Sequence, residues 1–324
     1  MSGVDGLRVV VTGGAGFIGS HLVDGLLAAG ASRVVAVDDL FLGKQENLHE
    51  AAECHGGAFA SHREDARDFH AMAALCEREQ PDVVFNLATR ALLYSFFNPV
   101  TACRVNLDIA LTLCELLRMG AFGRLVHLSS SEVYGTAQRV PMDEEHPLLA
   151  ETTYAAGKAA ADLAVASYVR MFDLDAFTIR PFNNYGPRQN VGAFAAVIPL
   201  TVRRILAGEA PVVEGDGTQT RDFIYVGDTV DAILRLASCP EVKGETLNIG
   251  SGRETRIIDL IESVARLLEY HGAIDKAPRR PADVDRHWAA VDRAEALIGP
   301  IATTPLEKGL RKTVDWYRAN GVGG

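Results

Sequence analysis

The sequence predicts an α/β protein: a doubly wound parallel sheet with a smaller, mostly helical C-terminal domain. Three observations lead to this fold class. In the N-terminal half, short β-branched apolar runs alternate with stretches of helical periodicity. These apolar runs are continuous, as expected for strands that helices cover on both faces. After Pro181 the pattern loosens, and Gly and Pro interrupt the chain more often.

The N-terminal half contains alternating candidate strands and helices. The predicted strands are residues 8–12, 33–37, 83–87, 124–129 and 176–180. The predicted helices are residues 18–29, 69–79, 101–119 and 154–172. Strands that alternate with helices in this way form a parallel sheet, because each helix carries the chain back to the start of the next strand.

The domain boundary is predicted near residue 180. Residues 1–180 would form the sheet domain, and residues 181–324 a second domain that closes over the carboxyl edge of the strands. Residues 226–236 and 246–249 are expected to return briefly to the sheet. The two domains would therefore interleave near residues 226–250.

Composition and charge exclude several classes of partner. The chain has 324 residues, of which 48% are hydrophobic, enough for a large core. A formal net charge of −10 argues against a nucleic-acid surface or a polybasic membrane patch. The cysteines form no C-x-x-C pair, so neither a metal site nor a disulfide framework is predicted. Without a visible signal peptide or an apolar stretch of membrane-spanning length, the expected location is the cytoplasm.

A glycine-rich turn joins the first strand to the first helix. Gly13, Gly16 and Gly19 are spaced as G-x-x-G-x-x-G, and Phe17 and Ile18 open the helix. Glycines permit a tight turn and close approach to a pyrophosphate, while the helix N-terminus offers free N–H donors. The turn therefore predicts a dinucleotide site that these residues contact.

The second predicted strand ends in two carboxylates, Asp38 and Asp39, about twenty residues after the glycine turn. A carboxylate at this point can bind both ribose hydroxyls and would repel a 2′-phosphate, which favours NAD over NADP. Further cofactor contacts are expected near the adenine and along the bound dinucleotide. They are Asp65 and Ala66 for the adenine, and Leu87, Ala88 and Thr89 for the dinucleotide.

Tyr154 and Lys158 are spaced i, i+4 on a predicted helix, so their side chains share one face. A free tyrosine has a pKa near ~10 and is a poor base at neutral pH. A neighbouring ammonium favours the phenolate and is expected to lower the pKa of Tyr154 toward the working range. The pair predicts a site of proton transfer.

Further motifs occur along the chain in a defined order. Leu128-Ser129-Ser130-Ser131-Glu132-Val133-Tyr134-Gly135 precedes Tyr154, and Arg180-Pro-Phe-Asn183-Asn184-Tyr-Gly186-Pro187-Arg188 follows it. Near the C-terminus come Arg221-Asp222-Phe-Ile-Tyr-Val-Gly-Asp228 and Asn248-Ile-Gly250-Ser-Gly252. With the glycine turn, these motifs resemble the extended short-chain dehydrogenase/reductase family, in its NAD-dependent nucleotide-sugar epimerase/dehydratase branch. The resemblance covers essentially the whole chain and implies a Rossmann domain for residues 1–180 and a nucleotide-sugar-binding domain for residues 181–324.

The resemblance implies a role for each residue that matches a family motif. Tyr154 would be the acid/base on a sugar hydroxyl, and Ser130 would hydrogen-bond the same hydroxyl. Lys158 would hold the nicotinamide ribose and, with the positive nicotinamide, lower the phenol pKa. Asn106 and Pro181 would also contact NAD, which would stay bound and be regenerated in each turnover.

The substrate-binding residues implied by the resemblance form two groups. Asn183, Arg221 and Arg286 match positions that grip a nucleotide diphosphate, and Asp283 matches a position at the nucleotide ribose. Bidentate guanidinium contacts suit phosphate oxygens. The other group would approach the sugar and consists of Ser131, Arg90, Tyr94 and Arg188, of which Arg90 or Arg188 could pair with a uronic carboxylate.

The shared chemistry of the branch is oxidation at C4 of the sugar, and the next step differs among its members. An epimerase returns the hydride to the other face, a 4,6-dehydratase eliminates water, and a uronate decarboxylase loses carbon dioxide. Many 4,6-dehydratases have an Asp-Glu pair where this chain has Ser131-Glu132. Glu132 could therefore be a catalytic acid/base or a carboxylate that orients its neighbours.

The leading prediction is a UDP-sugar 4-epimerase, with UDP-glucuronic acid/UDP-galacturonic acid among the candidate substrates. The alternative is a nucleotide-sugar 4,6-dehydratase or a UDP-glucuronate decarboxylase that uses Glu132. More remote alternatives are a dehydrogenase that releases NADH and a non-catalytic NAD-binding regulatory protein. The resemblance also implies a homodimer formed through residues 101–119 and 154–172.

Overall fold

Parallel strands form the centre of the structure, a computed structural model in which residues 3–192 and 194–321 are described. Within these residues, seven strands form the main sheet and the others form short pairs. The strands are β1 (Arg8–Thr12), β2 (Arg33–Val37), β3 (Phe59–His62), β4 (Val83–Asn86), β5 (Arg124–Leu128), β6 (Ala176–Pro181), β7 (Asn183–Tyr185), β8 (Val212–Glu214), β9 (Thr220–Arg221), β10 (Phe223–Tyr225), β11 (Thr246–Ile249), β12 (Thr255–Arg256) and β13 (Asp275–Ala277).

The main sheet is parallel throughout and has the order β11-β6-β5-β4-β1-β2-β3. The direction of winding reverses between β1 and β4. At such a switch point the connections leave the two strands on opposite faces and open a crevice at the carboxyl edge, where ligands bind in doubly wound sheets. The glycine turn follows β1, and Leu87 follows β4, so both border this crevice.

The helices are α1 (Phe17–Ala28), α2 (His49–His55), α3 (Phe69–Glu79), α4 (Pro99–Arg118), α5 (Thr153–Phe172), α6 (Val197–Leu206), α7 (Val226–Ala237), α8 (Ile257–Leu267), α9 (Asp292–Ile298) and α10 (Leu306–Asn320). Short 3-10 turns at Leu92–Phe96 and Ser131–Tyr134 also border the site.

Successive strand residues point to opposite faces of the sheet, and both faces are buried. Val9 and Val11 pack into a core with α1 and α7, whereas Val10 packs into a second core with α3, α4 and α5. This two-sided burial explains the continuous apolar runs in the sequence. The predicted α/β fold class is confirmed.

Helix α5 carries Tyr154 in its first turn. Thr152 caps its N-terminus, with the Thr152 hydroxyl accepting a hydrogen bond from the Ala155 N–H at 3.2 Å. A Cβ atom at Gly157 would lie 2.5 Å from the Cys103 carbonyl oxygen, so glycine allows α5 to pack closely against α4. This intramolecular contact fixes the height of Tyr154 and Lys158 above the carboxyl edge of the sheet.

One strand of the main sheet is missing from the sequence prediction. Strand β3 was not predicted, because this four-residue edge strand contains Ser61 and His62 and presents only one fully buried side chain, Phe59. Residues 226–236 form part of helix α7, whose Val230 and Ile233 pack into the core on one face of the main sheet. The prediction for residues 246–249 is correct, since β11 pairs with β6.

A separate hydrophobic cluster lies beyond the main sheet. It joins α6, α8 and α10 to the β7–β10 pair through Tyr185, Ile198, Val264 and Val314. The domain boundary at residue 180 stays a prediction. Strand β6 of the main sheet ends at Pro181, and β7, which pairs outside the main sheet, begins at Asn183. None of the helices in the described part of the chain is long and apolar enough to cross a membrane.

Candidate active site

The glycine turn is packed so closely that side chains would not fit within it. Gly13 has φ +70°, and a Cβ there would lie 2.7 Å from the backbone of Leu87 and Ala88. A Cβ at Gly19 would lie 2.0 Å from the Gly13 carbonyl oxygen. The turn therefore brings bare backbone and the N-terminus of α1 to the crevice, where free N–H groups can bind an anion.

Asp38, which follows β2, stabilises the same turn through hydrogen bonds. Its carboxylate accepts hydrogen bonds from the Ala15 N–H at 3.0 Å and the Leu40 N–H at 2.8 Å. Burial raises the pKa of Asp38, and these two bonds oppose that rise. The carboxylate lies beside the crevice, as predicted for a residue that binds ribose hydroxyls.

A cavity of about 1260 Å³ follows the carboxyl edge of the sheet. Almost every residue that was predicted to bind the cofactor lines this cavity. These residues are Gly13, Gly16, Phe17, Ile18, Gly19, Asp38, Asp39, Asp65, Ala66, Leu87, Ala88, Thr89, Tyr154, Lys158 and Pro181. The glycine backbone, the helix N-terminus and the Asp38 carboxylate together fit the pyrophosphate and ribose of NAD.

Asn106 is the exception, because it lies behind the cavity wall. Its side-chain oxygen accepts hydrogen bonds from the Thr89 hydroxyl at 2.9 Å and the Arg90 N–H at 3.0 Å. Asn106 therefore positions the loop after β4, and the predicted direct contact with NAD is not supported by its placement.

Ser130, Tyr154 and Lys158 meet at one end of this cavity. The Tyr154 hydroxyl interacts with the hydroxyls of Ser130 and Thr89. The Lys158 ammonium is buried and donates a hydrogen bond to the Leu128 carbonyl oxygen at 2.8 Å. The sequence prediction that these three side chains share a site agrees with this geometry.

The pKa shift predicted for Tyr154 differs from the one the structure produces. Burial raises the pKa of Tyr154 to about 12. The nearby Glu132 carboxylate also raises this pKa, whereas the hydrogen bond with Ser130 lowers it. Burial also lowers the pKa of Lys158 to about 8. The protein alone therefore keeps the phenol protonated, and a phenolate requires further positive charge in the site.

A second cavity of about 500 Å³ adjoins the first and shares Ser130 and Tyr154 with it. Glu132 lines this second cavity and is half-buried. Burial raises the pKa of Glu132, while the positive charges of Arg221 and Arg280 oppose that rise. The tyrosine hydroxyl thus lies between the cavity that the glycine turn borders and a cavity lined by two guanidinium groups, of Arg221 and Arg280, and three carboxylates, of Glu132, Glu214 and Asp283.

Several predicted substrate-binding residues line the second cavity: Ser130, Ser131, Asn183, Arg221 and Asp283. Arg221 forms an ion pair with Asp283 at 2.6 Å, and both side chains are buried. Sequence reasoning missed Arg280, which also lines the cavity and contacts Asp283 at 3.2 Å and Glu214 at 2.7 Å. Its position three residues before Asp283 was the signal that could have identified it.

Arg286 was predicted to grip the diphosphate, and its placement contradicts this prediction. Its guanidinium makes two hydrogen bonds of 2.6 Å to the Glu254 carboxylate. It is half-exposed and borders a shallow surface depression outside both cavities. The backbone of Arg286 bridges to Thr220, which directs the side chain toward Glu254 and away from the cavity.

Arg90 and Tyr94 were predicted to approach the sugar, but they lie elsewhere. Arg90 pairs with Asp39 at 2.6 Å and stacks over the Phe41 ring at 4.2 Å, which places it at the cofactor end. Tyr94 packs edge-on against Phe41 and Phe194. The nearby carboxylate and the aromatic rings explain why both side chains turn from the second cavity.

Arg188 also differs from its predicted role at the sugar. Its guanidinium pairs with Asp24 of α1 at 2.6 Å and with Glu50 of α2 at 3.6 Å. It lines the outer part of the first cavity and ties the loop after β7 to two helices of the sheet domain. A role for Arg188 in binding a sugar carboxylate is therefore not supported.

The fold and the site together define an NAD-dependent enzyme of the short-chain dehydrogenase/reductase class. The GDP-mannose 4,6 dehydratase family model matches residues 10–313. The chain belongs to this family, within the extended short-chain dehydrogenases/reductases.

The similar sequences include enzymes of more than one reaction type. The chain is 36% identical to a UDP-glucose 4-epimerase from Mycolicibacterium smegmatis, over 96% of this chain and 99% of the relative. It is 32% identical to UDP-glucuronic acid decarboxylase 3 from Arabidopsis thaliana, over 94% of this chain and 87% of the relative.

The similar solved structures show the same division. One is a UDP-glucose 4-epimerase from Thermotoga maritima with UDP-glucose, with TM-score 0.90 and 30% identity, covering 97% of this chain and 99% of the other. Another is DesIV, a dTDP-glucose 4,6-dehydratase from Streptomyces venezuelae with NAD bound, with TM-score 0.90 and 30% identity, covering 97% and 98%. The predicted family, an NAD-dependent enzyme and NAD as its cofactor are confirmed by these comparisons.

Proposed function

We propose that the protein is an NAD-dependent 4-epimerase of a UDP-sugar. The observation that carries the proposal is the meeting of two cavities at the hydroxyls of Ser130 and Tyr154. One cavity has the donors for a dinucleotide, and the other has two guanidinium groups, of Arg221 and Arg280, that suit a nucleotide diphosphate. Similarity to UDP-glucose 4-epimerases in sequence and structure supports the assignment.

Tyr154 takes the proton from the C4 hydroxyl and later returns it, while Ser130 hydrogen-bonds the same oxygen. NAD, when bound, supplies the hydride acceptor and the positive nicotinamide charge that favours the phenolate. Lys158 would hold the nicotinamide ribose when NAD is bound. Because the chemistry returns the cofactor to its starting state, the enzyme accumulates no reduced cofactor.

Arg221 and Arg280 are proposed to bind the diphosphate in the second cavity, with Asn183 beside them and Asp283 at the nucleotide ribose. Arg221 is buried against Asp283, so its guanidinium is already oriented. The Asn183 side-chain oxygen has no hydrogen-bond partner within the described residues. These features match a site whose polar groups are completed by a ligand.

Replacing Arg280 with Gln should weaken UDP binding about tenfold to a hundredfold, because a hydrogen bond to a charged group contributes roughly 1.5–3 kcal/mol. Replacing Arg286 with Gln should change the affinity less than about twofold, because its guanidinium pairs with Glu254 at the surface. Isothermal titration calorimetry with UDP compares the two. Equal losses in the two variants would show that Arg286 binds the diphosphate after all.

A uronic substrate has less support than a neutral sugar. The extension to UDP-glucuronic acid/UDP-galacturonic acid depended on Arg90 or Arg188, and both guanidinium groups pair with carboxylates of the protein at 2.6 Å. We therefore propose a neutral UDP-hexose as the substrate and keep UDP-glucuronate in the substrate panel.

The second candidate is a 4,6-dehydratase or a decarboxylase, and Glu132 favours it. A half-buried carboxylate with a raised pKa, close to the tyrosine hydroxyl, is suited to transfer a proton at C5 or C6. Similarity to DesIV and to the decarboxylase shows that both chemistries occur among the relatives. In an epimerase, Glu132 would instead orient the neighbouring groups.

Incubation with UDP-glucose, UDP-N-acetylglucosamine and UDP-glucuronate, followed by NMR of the products, separates the two candidates. An epimerase should give a C4-inverted sugar with C6 intact. A 4-keto-6-deoxy sugar would indicate a dehydratase and a pentose a decarboxylase, and either product would contradict the proposal. Glu132→Gln should leave an epimerase within about tenfold of wild-type activity but slow a dehydratase about a hundredfold or more.

The protein is further proposed to be a homodimer formed through α4 and α5. Apolar side chains project outward from this helix pair: Val100, Leu111, Leu163, Met171 and Phe172. Exposed apolar residues concentrated on two adjacent helices are typical of a subunit interface. Sedimentation equilibrium at micromolar concentration should give twice the chain mass, and a monomer would contradict the proposal.

A further inference from the structure

A row of polar side chains crosses the sheet beneath the active site. Thr12, Asn86 and His127 are paired in register on the neighbouring strands β1, β4 and β5, and all three are buried. The Thr12 hydroxyl donates to the Asn86 side-chain oxygen at 2.9 Å, and the Asn86 amide nitrogen lies 3.0 Å from His127 Nδ1. Buried polar groups are costly unless they are bonded, so this row is a specific feature of the sheet.

The row fixes the orientation of the His127 ring. Because the Asn86 oxygen accepts from Thr12, its amide N–H groups face His127, and Nδ1 must accept the hydrogen bond. The ring proton is thereby assigned to Nε2, which lies 3.6 Å from a carboxylate oxygen of Asp162. Burial lowers the pKa of His127, so the imidazole is neutral at pH 7.

Asp162 lies one turn after Lys158 on α5, and its carboxylate is buried. Its other oxygen accepts a hydrogen bond from the Arg180 guanidinium of β6 at 2.9 Å. Burial alone would raise the pKa of Asp162, but the His127 contact and the Arg180 charge outweigh it and lower the pKa. The carboxylate therefore stays ionised beneath the catalytic helix.

Lys158 needs such a charge because its ammonium is removed from water. Its hydrogen bond to the Leu128 carbonyl oxygen is to a neutral group. Asp162 is buried four residues further along the same face of α5, and its negative charge favours the charged form against the effect of burial. The other ionisable groups around this cluster are Tyr154 on the same helix, His127 on β5, Arg180 on β6 and Tyr134 on the turn after β5.

We propose that Asp162 is a positioning residue of the active site: held by Arg180 and facing His127 of the Thr12–Asn86–His127 row, its carboxylate keeps Lys158 protonated. This inference rests on the proposed function in one respect: the catalytic role of Lys158. The charge on Lys158 can be measured without any sugar substrate, so failure of the proposed function and failure of this inference are separate results.

The sign of the effect follows from the charges. A nearby carboxylate stabilises an ammonium and raises its pKa, so removing that carboxylate lowers the pKa of Lys158. The alkaline limb of the pH–rate profile, where Lys158 loses its proton, should then move to lower pH. A variant that merely loosened the fold would reduce activity at every pH and leave this limb in place.

The test is an NMR titration of the lysine side chains in the full chain, with NAD bound in every sample. The chain has six lysines, so the Lys158 signal can be assigned by loss in a Lys158→Arg variant. In Asp162→Asn, the pKa of Lys158 should fall by about one unit relative to wild type. In Asp222→Asn, a matched control, it should not change, because the buried Asp222 carboxylate accepts from Ser251, Gly252 and Ala289.

Two further variants keep the test decisive if Asp162→Asn leaves Arg180 unpaired and does not fold. Asp162→Leu/Arg180→Met removes both members of the buried pair, so that no charge is left alone, and should also lower the pKa of Lys158. Asp162→Glu keeps the negative charge and should leave the pKa of Lys158 at its wild-type value. A change smaller than half a unit in the folded variants that lack the carboxylate would overturn the proposal.

Discussion

Replacing Tyr154 with Phe is expected to lower the rate of sugar conversion about 100- to 10,000-fold, the usual contribution of a general acid/base. The substitution removes the hydroxyl that lies between the two cavities and interacts with Ser130 and Thr89. The ring stays in place, so NAD and UDP should bind as in wild type. Steady-state kinetics at saturating substrate measure the effect as a loss of kcat.

Tyr168→Phe is the matched control for this prediction. Tyr168 lies on the same helix, but its hydroxyl donates a hydrogen bond to Glu115 at 3.3 Å near the surface. Its loss should change kcat less than about twofold, since surface substitutions away from a site have small effects. If Tyr154→Phe also kept most of its activity, Tyr154 could not be the group that moves the C4 proton.

Gly19→Ala should weaken NAD binding about a hundredfold or more. The new Cβ would lie 2.0 Å from the Gly13 carbonyl oxygen, a contact that forces the glycine turn to move. A shifted turn misplaces the N–H groups at the start of α1, and two lost charge-assisted hydrogen bonds amount to roughly 3–6 kcal/mol. The NAD content of the purified protein and calorimetry with NAD both measure the loss.

Gly57→Ala is the control, because a Cβ there would meet no atom within 4 Å. It should bind NAD as the wild type does and should unfold at a similar temperature. Retention of wild-type NAD affinity by a folded Gly19→Ala variant would mean that the glycine turn does not hold the pyrophosphate.

Features encoded by local sequence could be predicted. The glycine turn, Asp38 and the Tyr154/Lys158 pair each depend on residues that are close along the chain. A turn, a strand end or one helical turn then fixes their geometry. The predicted parallel sheet had the same basis, because continuous apolar runs are the local signature of two-sided burial.

Features set by long-range pairing could not be predicted. The direction of the Arg90, Arg188 and Arg286 side chains depends on carboxylates at Asp39, Asp24 and Glu254, which only the fold brings near them. A motif can place an arginine in the correct segment without specifying its partner. The sequence likewise did not reveal that Arg280, and not Arg286, lines the second cavity, because this too depends on contacts between distant segments.

Electrostatics within the site also depended on burial, which spacing does not reveal. The i, i+4 relation correctly placed Lys158 on the same helix face as Tyr154. Its ammonium, however, binds the Leu128 carbonyl oxygen, and burial dominates the pKa of both residues. The Asp162–His127 contact joins α5 to β5 and was likewise invisible in the sequence.

In the proposed reaction the sugar is oxidised and reduced again at the same carbon. UDP-glucose carrying deuterium at C4, incubated with the enzyme in ordinary water, tests this most directly by NMR of the product. A 4-epimerase should give a C4-inverted UDP-sugar that retains deuterium at C4, with no build-up of absorbance at about 340 nm from reduced cofactor. Deuterium at C6 of a deoxy sugar would contradict epimerisation and assign the protein to the dehydratases.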